Sequence, residues 1–439
     1  MIKRICLLVL LLSTMAELLH CQNRDFVKVE GLQFTLGDVP YYFLGTNLWY
    51  GMNLAMDGKD GDRDRLIREL DRLQALGVNN LRIMGTTEGP DTEPWRIKPS
   101  QQRAPGEYNE QVLGGLDFLL SEMKKREMYA VVCLTNFWAW SGGMSQYISW
   151  ANDEAIPYHP PQEGGSWMRY QRFTSSFYRN KKAQEIFENH LRFLVNRVNT
   201  VSGVAYKDDP TIMSWQLANE PRSFMNGRTF RKWIEKTAAL IKQLDPNHLV
   251  SLGGEGNADN YFAGASFRKD QKSRHIDYLT MHIWAQNWSW YDPHNADDSF
   301  NEAVSKAKEY IIEHVSMAKV MGKPVVLEEF GIARDLEAYE PNTPVKYRDN
   351  YYSRIFQEMY RLASIGEGVG GCNFWAWAGE GRPNIPGGFW KLGDDLIGDP
   401  PHESQGWYSV YDTDESTLSV IRRFASMFNQ LGKTGNNPE

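Results

Sequence analysis

The chain is predicted to fold as an α/β protein, a (β/α)8 TIM barrel with a small N-terminal β-hairpin and long loops over the C-terminal face. Three observations carry this. Eight short apolar runs recur along the 439 residues, at 41–47, 79–84, 129–135, 211–218, 249–254, 277–283, 324–329 and 370–375. Between them lie stretches of helical period, and that alternation is the pattern of parallel strands with crossover helices. Several of the runs also end abruptly in polar residues, and in such a barrel these ends open on one face.

The elements follow in order. Lys3 and Arg4 precede an apolar run from Ile5 to Leu12, too short to span a bilayer, which needs about 20 apolar residues. Residues 1–21 are therefore expected to be a signal peptide, with cleavage near Cys21-Gln22 and secretion to the extracellular space. Residues 22–439 are expected to form one catalytic domain. From Phe26 to Leu36 apolar and polar residues alternate around Gly31, which predicts a hairpin closing the bottom of the barrel. Helices are predicted over Asp62–Leu76, Glu107–Arg126, Lys181–Val198, Thr229–Leu244, Ala303–Met321 and Arg348–Ser364. The stretch from Asn136 to Asn180, with its Gly and Pro clusters, is expected to be a loop wall over the barrel's top. Ala378 to Gln405 should form the opposite wall, and the polar tail from Gly432 should fray.

A formal net charge of −7 argues against nucleic acid or an anionic membrane as partner and favours a neutral substrate. A monomer is expected. Of four cysteines, Cys133 and Cys372 would remain after cleavage; both sit in apolar runs and read as buried thiols. The sequon Asn287-Trp288-Ser289 lies in a Trp-rich loop and is expected to stay bare. There is no His-Glu-x-x-His, Cys-x-x-Cys, P-loop or Gly-x-Ser-x-Gly, so neither a metal nor a cofactor is expected.

Two strand ends carry the chemistry. The fourth run empties into Asn219-Glu220-Pro221-Arg222 and the seventh into Glu328-Glu329-Phe330-Gly331. Two carboxylates facing each other across a barrel can hydrolyse a glycosidic bond, one as acid/base and the other attacking or activating water. Adjacent strand residues point to opposite sides, so Glu328 and Glu329 compete for the second role, and Glu329, at the strand's end before Phe330-Gly331, is the expected member. Arg82, ending the second run, would keep Glu329 ionised, and His282 ends the sixth at the same level. Trp49, Tyr50, Trp138, Trp140, Trp284, Trp288, Trp290, Trp375 and Trp377 sit at or past strand ends. Indole faces stack on the C–H face of a sugar, so these residues point to a polysaccharide cleft.

With these blocks in barrel order, the chain resembles glycoside hydrolase family 5, most closely its endo-β-1,4-mannanases. The matching segments are Gly45-Thr46-Asn47-Leu48-Trp49-Tyr50, Leu81-Arg82-Ile83, Trp215 to Arg222, Met281-His282-Ile283-Trp284, Leu327 to Gly331 and Asn373-Phe374-Trp375. The resemblance implies retaining hydrolysis of internal β-1,4-mannosidic bonds in mannans, galactomannans and glucomannans. By it Glu220 is the acid/base, Glu329 the nucleophile, Asn219 a ligand of the sugar 2-hydroxyl and Trp375 the floor beneath that sugar. Arg82 and His282 would position carboxylates and substrate, and Arg222 would bind on the leaving-group side. Trp49, Tyr50, Trp138 and Trp284 complete the expected substrate contacts. Two positions depart from the family pattern: Trp284 stands where many members have Tyr, and Leu134-Thr135-Asn136-Phe137-Trp138 lacks a frequent histidine. A β-1,4-glucanase of the same family is the alternative within the class. A catalytically silent carbohydrate-binding barrel is the alternative outside it, and it would be expected to have lost one glutamate.

Overall fold

The computed structural model describes residues 25–257 and 264–434. Residues 1–24 and 435–439 lie outside it, so the signal segment and the end of the tail are expectations of sequence alone. Eight parallel strands form the barrel: Phe43–Asn47, Asn80–Met84, Tyr129–Cys133, Ile212–Gln216, Leu249–Ser251, Leu279–Ile283, Val325–Phe330 and Val369–Phe374. Ladders join first to second, third, fourth and fifth in one direction, and first to eighth, seventh and sixth in the other. The circle closes between fifth and sixth through two backbone bonds, Asp277 N–H to the Val250 carbonyl at 2.8 Å and His282 N–H to the Glu255 carbonyl at 2.9 Å. Every residue of these strands is buried, as expected where helices cover one face and barrel side chains the other.

Five of the predicted helices begin within two or three residues of their expected starts, among them Arg63–Ala75, Glu110–Lys125 and Lys181–Val195. Their beginnings are set by side chains that accept otherwise orphaned amide protons. Asp62 accepts from Arg65 N–H, Asn109 from Gln111 N–H and Asn180 from Ala183 N–H, the usual economy of an N-cap. The helix Ala296–Met321 starts seven residues earlier than expected and ends at Gly322, whose φ of +70° is the left-handed stop that glycine permits without strain.

The predicted N-terminal hairpin is present, Val27–Glu30 with Gln33–Leu36, and a third strand, Val39–Tyr41, extends it. Pro40 in that segment masked it, since proline is confined to edge strands and this one is an edge. The connection from Asn136 to Asn180 is not an irregular loop: it contains the helices Gly143–Asn152 and Trp167–Ser175. Its glycines and prolines cluster between and before the helices, and Ser166 caps the second by accepting from Arg169 N–H.

The barrel interior changes character along its axis. At the bottom, Val27, Phe34 and Tyr41 of the small sheet pack against Phe43, Tyr129, Val131, Met213, Leu249, Tyr278 and Val326. Above this apolar plug the interior becomes polar, with Ser214 Oγ and Tyr278 Oη at 2.7 Å. Among the described residues no helix is long and apolar enough to cross a membrane. Cys133 and Cys372 are buried free thiols, and burial pushes the Cys133 thiol up to about 12.

Candidate active site

At the top of the barrel the strand ends deliver one connected set of polar groups. Arg82 lies at its centre, 4 % exposed. Its Nε donates to Gln216 Oε1 at 2.7 Å, Nη1 to Asn47 Oδ1 at 3.1 Å and to Glu329 Oε1, and Nη2 to Asn219 Oδ1 at 2.8 Å. With four of its N–H groups given to side chains, Arg82 aligns the site.

Glu328 and Glu329 both lie on the inner side of the barrel, which corrects the strict alternation assumed from sequence. Met281 pairs with Leu327 but His282 pairs with Glu329, so Glu328 is the extra residue of a bulge and re-aims its successor. Glu328 is held below by Gln216 Nε2, at 2.9 and 2.7 Å to its two oxygens. Glu329 faces the pocket.

Glu220 follows the fourth strand with φ of +46°, a left-handed conformation uncommon for glutamate. Its N–H donates to the Gly253 carbonyl at 2.9 Å. Gly253 makes that approach possible, because a Cβ there would sit 2.0 Å from the Ala218 carbonyl oxygen. Three N–H groups reach the Glu220 carboxylate: His282 Nδ1 at 2.8 Å and Trp284 Nε1 at 3.1 Å on Oε1, and Trp138 Nε1 at 2.7 Å on Oε2. Trp284, which stands where many members have Tyr, and Trp138, in the segment that lacks the frequent histidine, thus both donate to one carboxylate.

His282 Nδ1 also lies 3.3 Å from Glu329 Oε2, so one imidazole spans both glutamates. Burial would pull its pKa down, but the surrounding carboxylates of Glu329, Glu220 and Glu328 push it up to about 10. Burial works against charge on Glu220 as well, yet His282, Arg222 and the Trp138 indole outweigh it and hold the group at about 2. Glu329 is pushed up to about 7 by burial and by Glu220, against His282 and Arg82. Glu220, His282 and Glu329 bring ligand-type atoms within 4.8 Å of one another. The single N–H at Nδ1 donates to Glu220 and lies 3.3 Å from Glu329 Oε2, and Arg82 occupies Glu329 Oε1, a set built for proton transfer more than for holding a cation.

Glu220 and Glu329 line a cavity of about 500 Å3 together with Asn219, Arg222, Trp138, Trp284 and Trp375. Trp140 and Trp288, noted in the sequence, line it too, and Trp284 meets Trp375 edge to face at 5.7 Å. Arg222 pairs with Glu255 through Nε at 2.5 Å and Nη2 at 2.8 Å, and its guanidinium stacks 4.8 Å from the Trp138 ring. Trp49 and Tyr50 stand behind the pocket wall. Trp49 Nε1 donates to the Gly398 carbonyl at 2.8 Å and its ring supports Trp140, while Tyr50 is fully buried with Oη bonded to the Trp377 carbonyl at 3.0 Å. Sequence reasoning passed over Asn47, Gln216 and Glu255, although each stands near a strand end. It also missed Trp167, His402, Glu403 and Tyr408, which arrive on loops that carry no periodic signal. A larger cavity, about 960 Å3, opens at the other end of the barrel; Glu127 is the one acidic residue lining it, so no carboxylate pair acts there.

Comparison with known proteins agrees with this geometry. The family described as GH family 5 beta-mannosidase-like matches residues 24–433. Mannan endo-1,4-beta-mannosidase 4 of Solanum lycopersicum is 31 % identical over 380 residues, 84 % of this chain and 87 % of the relative. The glycoside hydrolase family 5 mannosidase of Rhizomucor miehei superposes with a TM-score of 0.86 at 39 % identity, covering 93 % of this chain and 99 % of that one. The endo-1,4-beta-mannanase of the same organism shares the fold, with a TM-score of 0.67 at 23 % identity over 92 % of this chain and 100 % of its own. The chain belongs to glycoside hydrolase family 5, in its beta-mannosidase-like group, and is a glycoside hydrolase.

Proposed function

We propose that this chain is an endo-acting β-1,4-mannanase that retains configuration, with Glu220 as acid/base and Glu329 as nucleophile. One observation favours the retaining geometry: one oxygen of Glu220 and one of Glu329 lie within 4.8 Å of each other. Retaining hydrolases hold their carboxyls about 5–5.5 Å apart, whereas inverting ones need about 6.5–9.5 Å to admit a water. Glu329 attacks the anomeric carbon while Glu220 protonates the departing oxygen; Glu220 then takes a proton from the water that releases the sugar.

The state this requires has one proton on the pair. That proton is retained until pH rises to about 7, the value at which Glu329 titrates. Contact with Arg82 favours charge on Glu329, whereas the three N–H groups favour charge on Glu220. A leaving oxygen arriving beside Glu220 moves the balance toward the productive form, with the proton on Glu220. Asn219, Arg222, Trp138, Trp284 and Trp375 contact the sugar chain, Arg82 and His282 align the carboxylates, and Trp49 and Tyr50 support the wall. Removal of residues 1–21 leaves 22–439 as a single catalytic unit acting as a monomer outside the cell.

Release of terminal mannosyl units is a second reading, favoured by the higher identity and TM-score of the Rhizomucor miehei mannosidase relative to the endo-mannanase of that organism. Reducing-sugar release and viscosity on unbranched mannan, galactomannan and soluble cellulose separate the cases. A fast loss of mannan viscosity supports internal cleavage. Release of mannose with viscosity preserved supports terminal cleavage, activity on cellulose alone makes the chain a glucanase, and silence on all three makes it a binding protein.

A further inference from the structure

Glu88 stands beyond the end of the second barrel strand, is fully buried and does not line the pocket. A buried carboxyl is costly unless its oxygens are bonded. Both oxygens here go to one helix: Oε2 accepts the Gly143 N–H at 2.9 Å and Oε1 the Tyr147 hydroxyl at 3.0 Å. That helix, Gly143–Asn152, has no side-chain cap of its own, because the residue before it is Gly142. Glu88 supplies the cap from 55 residues away. It satisfies an amide proton that the helix would otherwise leave orphaned, at the end where negative charge is favoured. Burial pushes the carboxyl up to about 7, so near neutrality a neutral side chain of the same shape mimics one of its two forms.

The turn before this helix is clamped on both sides. The Glu88 N–H donates to the Ser141 carbonyl at 2.8 Å, and the Met144 N–H to the Asn136 carbonyl at 2.8 Å. A Cβ on Gly142 would lie 2.0 Å from the Glu88 carbonyl oxygen, and one on Gly143 2.1 Å from that of Asn136. Asn136 carries the contact onward. Its Nδ2 donates to Ser141 Oγ at 3.1 Å, while Oδ1 accepts from the Trp138 N–H at 2.9 Å and from Asn219 Nδ2 at 3.1 Å. Trp138 in turn gives its indole N–H to Glu220 Oε2 at 2.7 Å. We infer that Glu88 is a positioning residue for the acid/base: by capping the wall helix it fixes the turn 136–143 and so holds the Trp138 indole on Glu220. This deepens the proposed mechanism and rests on it for the role of Glu220.

The test compares pH profiles and the Trp138 indole N–H resonance, identified in heteronuclear NMR by its loss in Trp138→Phe. Glu88→Ala, and Glu88→Asp, whose shorter side chain falls short of Gly143, should displace that resonance. Both should lower kcat/KM on mannan about tenfold, the size of one hydrogen bond to a charged group, and raise the Glu220 limb as Trp138→Phe does. Glu88→Gln keeps an acceptor for Gly143 and offers an N–H to the Tyr147 oxygen, so it should follow the wild-type profile; where Glu88→Ala fails to fold, Glu88→Asp against Glu88→Gln decides. Combining Glu88→Asp with Trp138→Phe should move the limb no further than Trp138→Phe alone, because both remove the same contact. An unmoved resonance, shifts that add in the double variant, or a limb left in place where Trp138→Phe moves it would overturn the assignment. A displaced resonance with a limb unmoved in every variant, Glu220→Ala included, would refute Glu220 as the acid/base while the placement of Trp138 by Glu88 stands.

Discussion

The two ends of the barrel are built from the same strands and solve opposite problems. At the bottom, Phe34, Tyr41 and Val27 drive an apolar plug into a ring of Phe43, Tyr129, Met213 and Val326. At the top, Arg82, His282, Glu220, Glu328 and Glu329 are nearly as buried, yet every one is ionisable. Apolar burial contributes stability wherever it occurs. Buried charge costs desolvation and is repaid only by partners. The difference teaches where the molecule can be altered without touching catalysis and where it cannot.

That contrast can be broken deliberately. The largest effect belongs to Glu329→Ala, which should abolish hydrolysis of mannan while the circular dichroism of the fold is kept; measurable turnover would refute the nucleophile assignment. Glu220→Ala should lower kcat/KM on mannan by about 10²–10⁴-fold, the usual contribution of general acid–base catalysis, and less on aryl mannosides whose leaving group needs no proton. At the other end, Phe34→Ala should cost about 3–5 kcal/mol in denaturant unfolding and leave KM and kcat on mannan unchanged at temperatures where the variant is folded.

Two smaller effects sharpen the account of the upper end. Trp138→Phe removes one donor from an ionised carboxylate, an interaction of about 1.5–3 kcal/mol, and should raise the apparent pKa of the Glu220 limb in the pH profile. A profile that does not move would mean that the indole only packs. With wild-type protein, kcat/KM should fall as pH rises through about 7. The group that titrates there has a raised pKa and is protonated below it, so the one-proton state of the pair is lost on the alkaline side.

Much of this was legible in the chain because barrel strands are short, apolar and punctuated. Asn219-Glu220 and Glu328-Glu329 stand where apolar runs stop, and position alone marked them as members of one face. The bulge at Glu328 was not legible, because a register shift depends on the neighbouring strand and leaves no mark in its own sequence. Nor was the burial of Tyr50: an aromatic just past a strand end reads the same whether it faces a pocket or packs behind its wall. The helices inside 136–180 were hidden by the glycines and prolines that connect them. His402 and Glu403 were invisible for a related reason, since a loop residue's direction is set by contacts far away in sequence.

The most direct test of the central claim, that Glu220 and Glu329 act as a retaining pair, is the stereochemistry of rescue. Purified Glu220→Ala protein would be given an activated aryl β-mannoside and azide, and the sugar azide identified by NMR. The account predicts restored turnover and a β-mannosyl azide, formed when azide displaces a mannosyl–Glu329 intermediate from the face that Glu220 vacated. An α-azide would mean a single displacement, and would contradict the pairing of Glu220 with a nucleophilic Glu329.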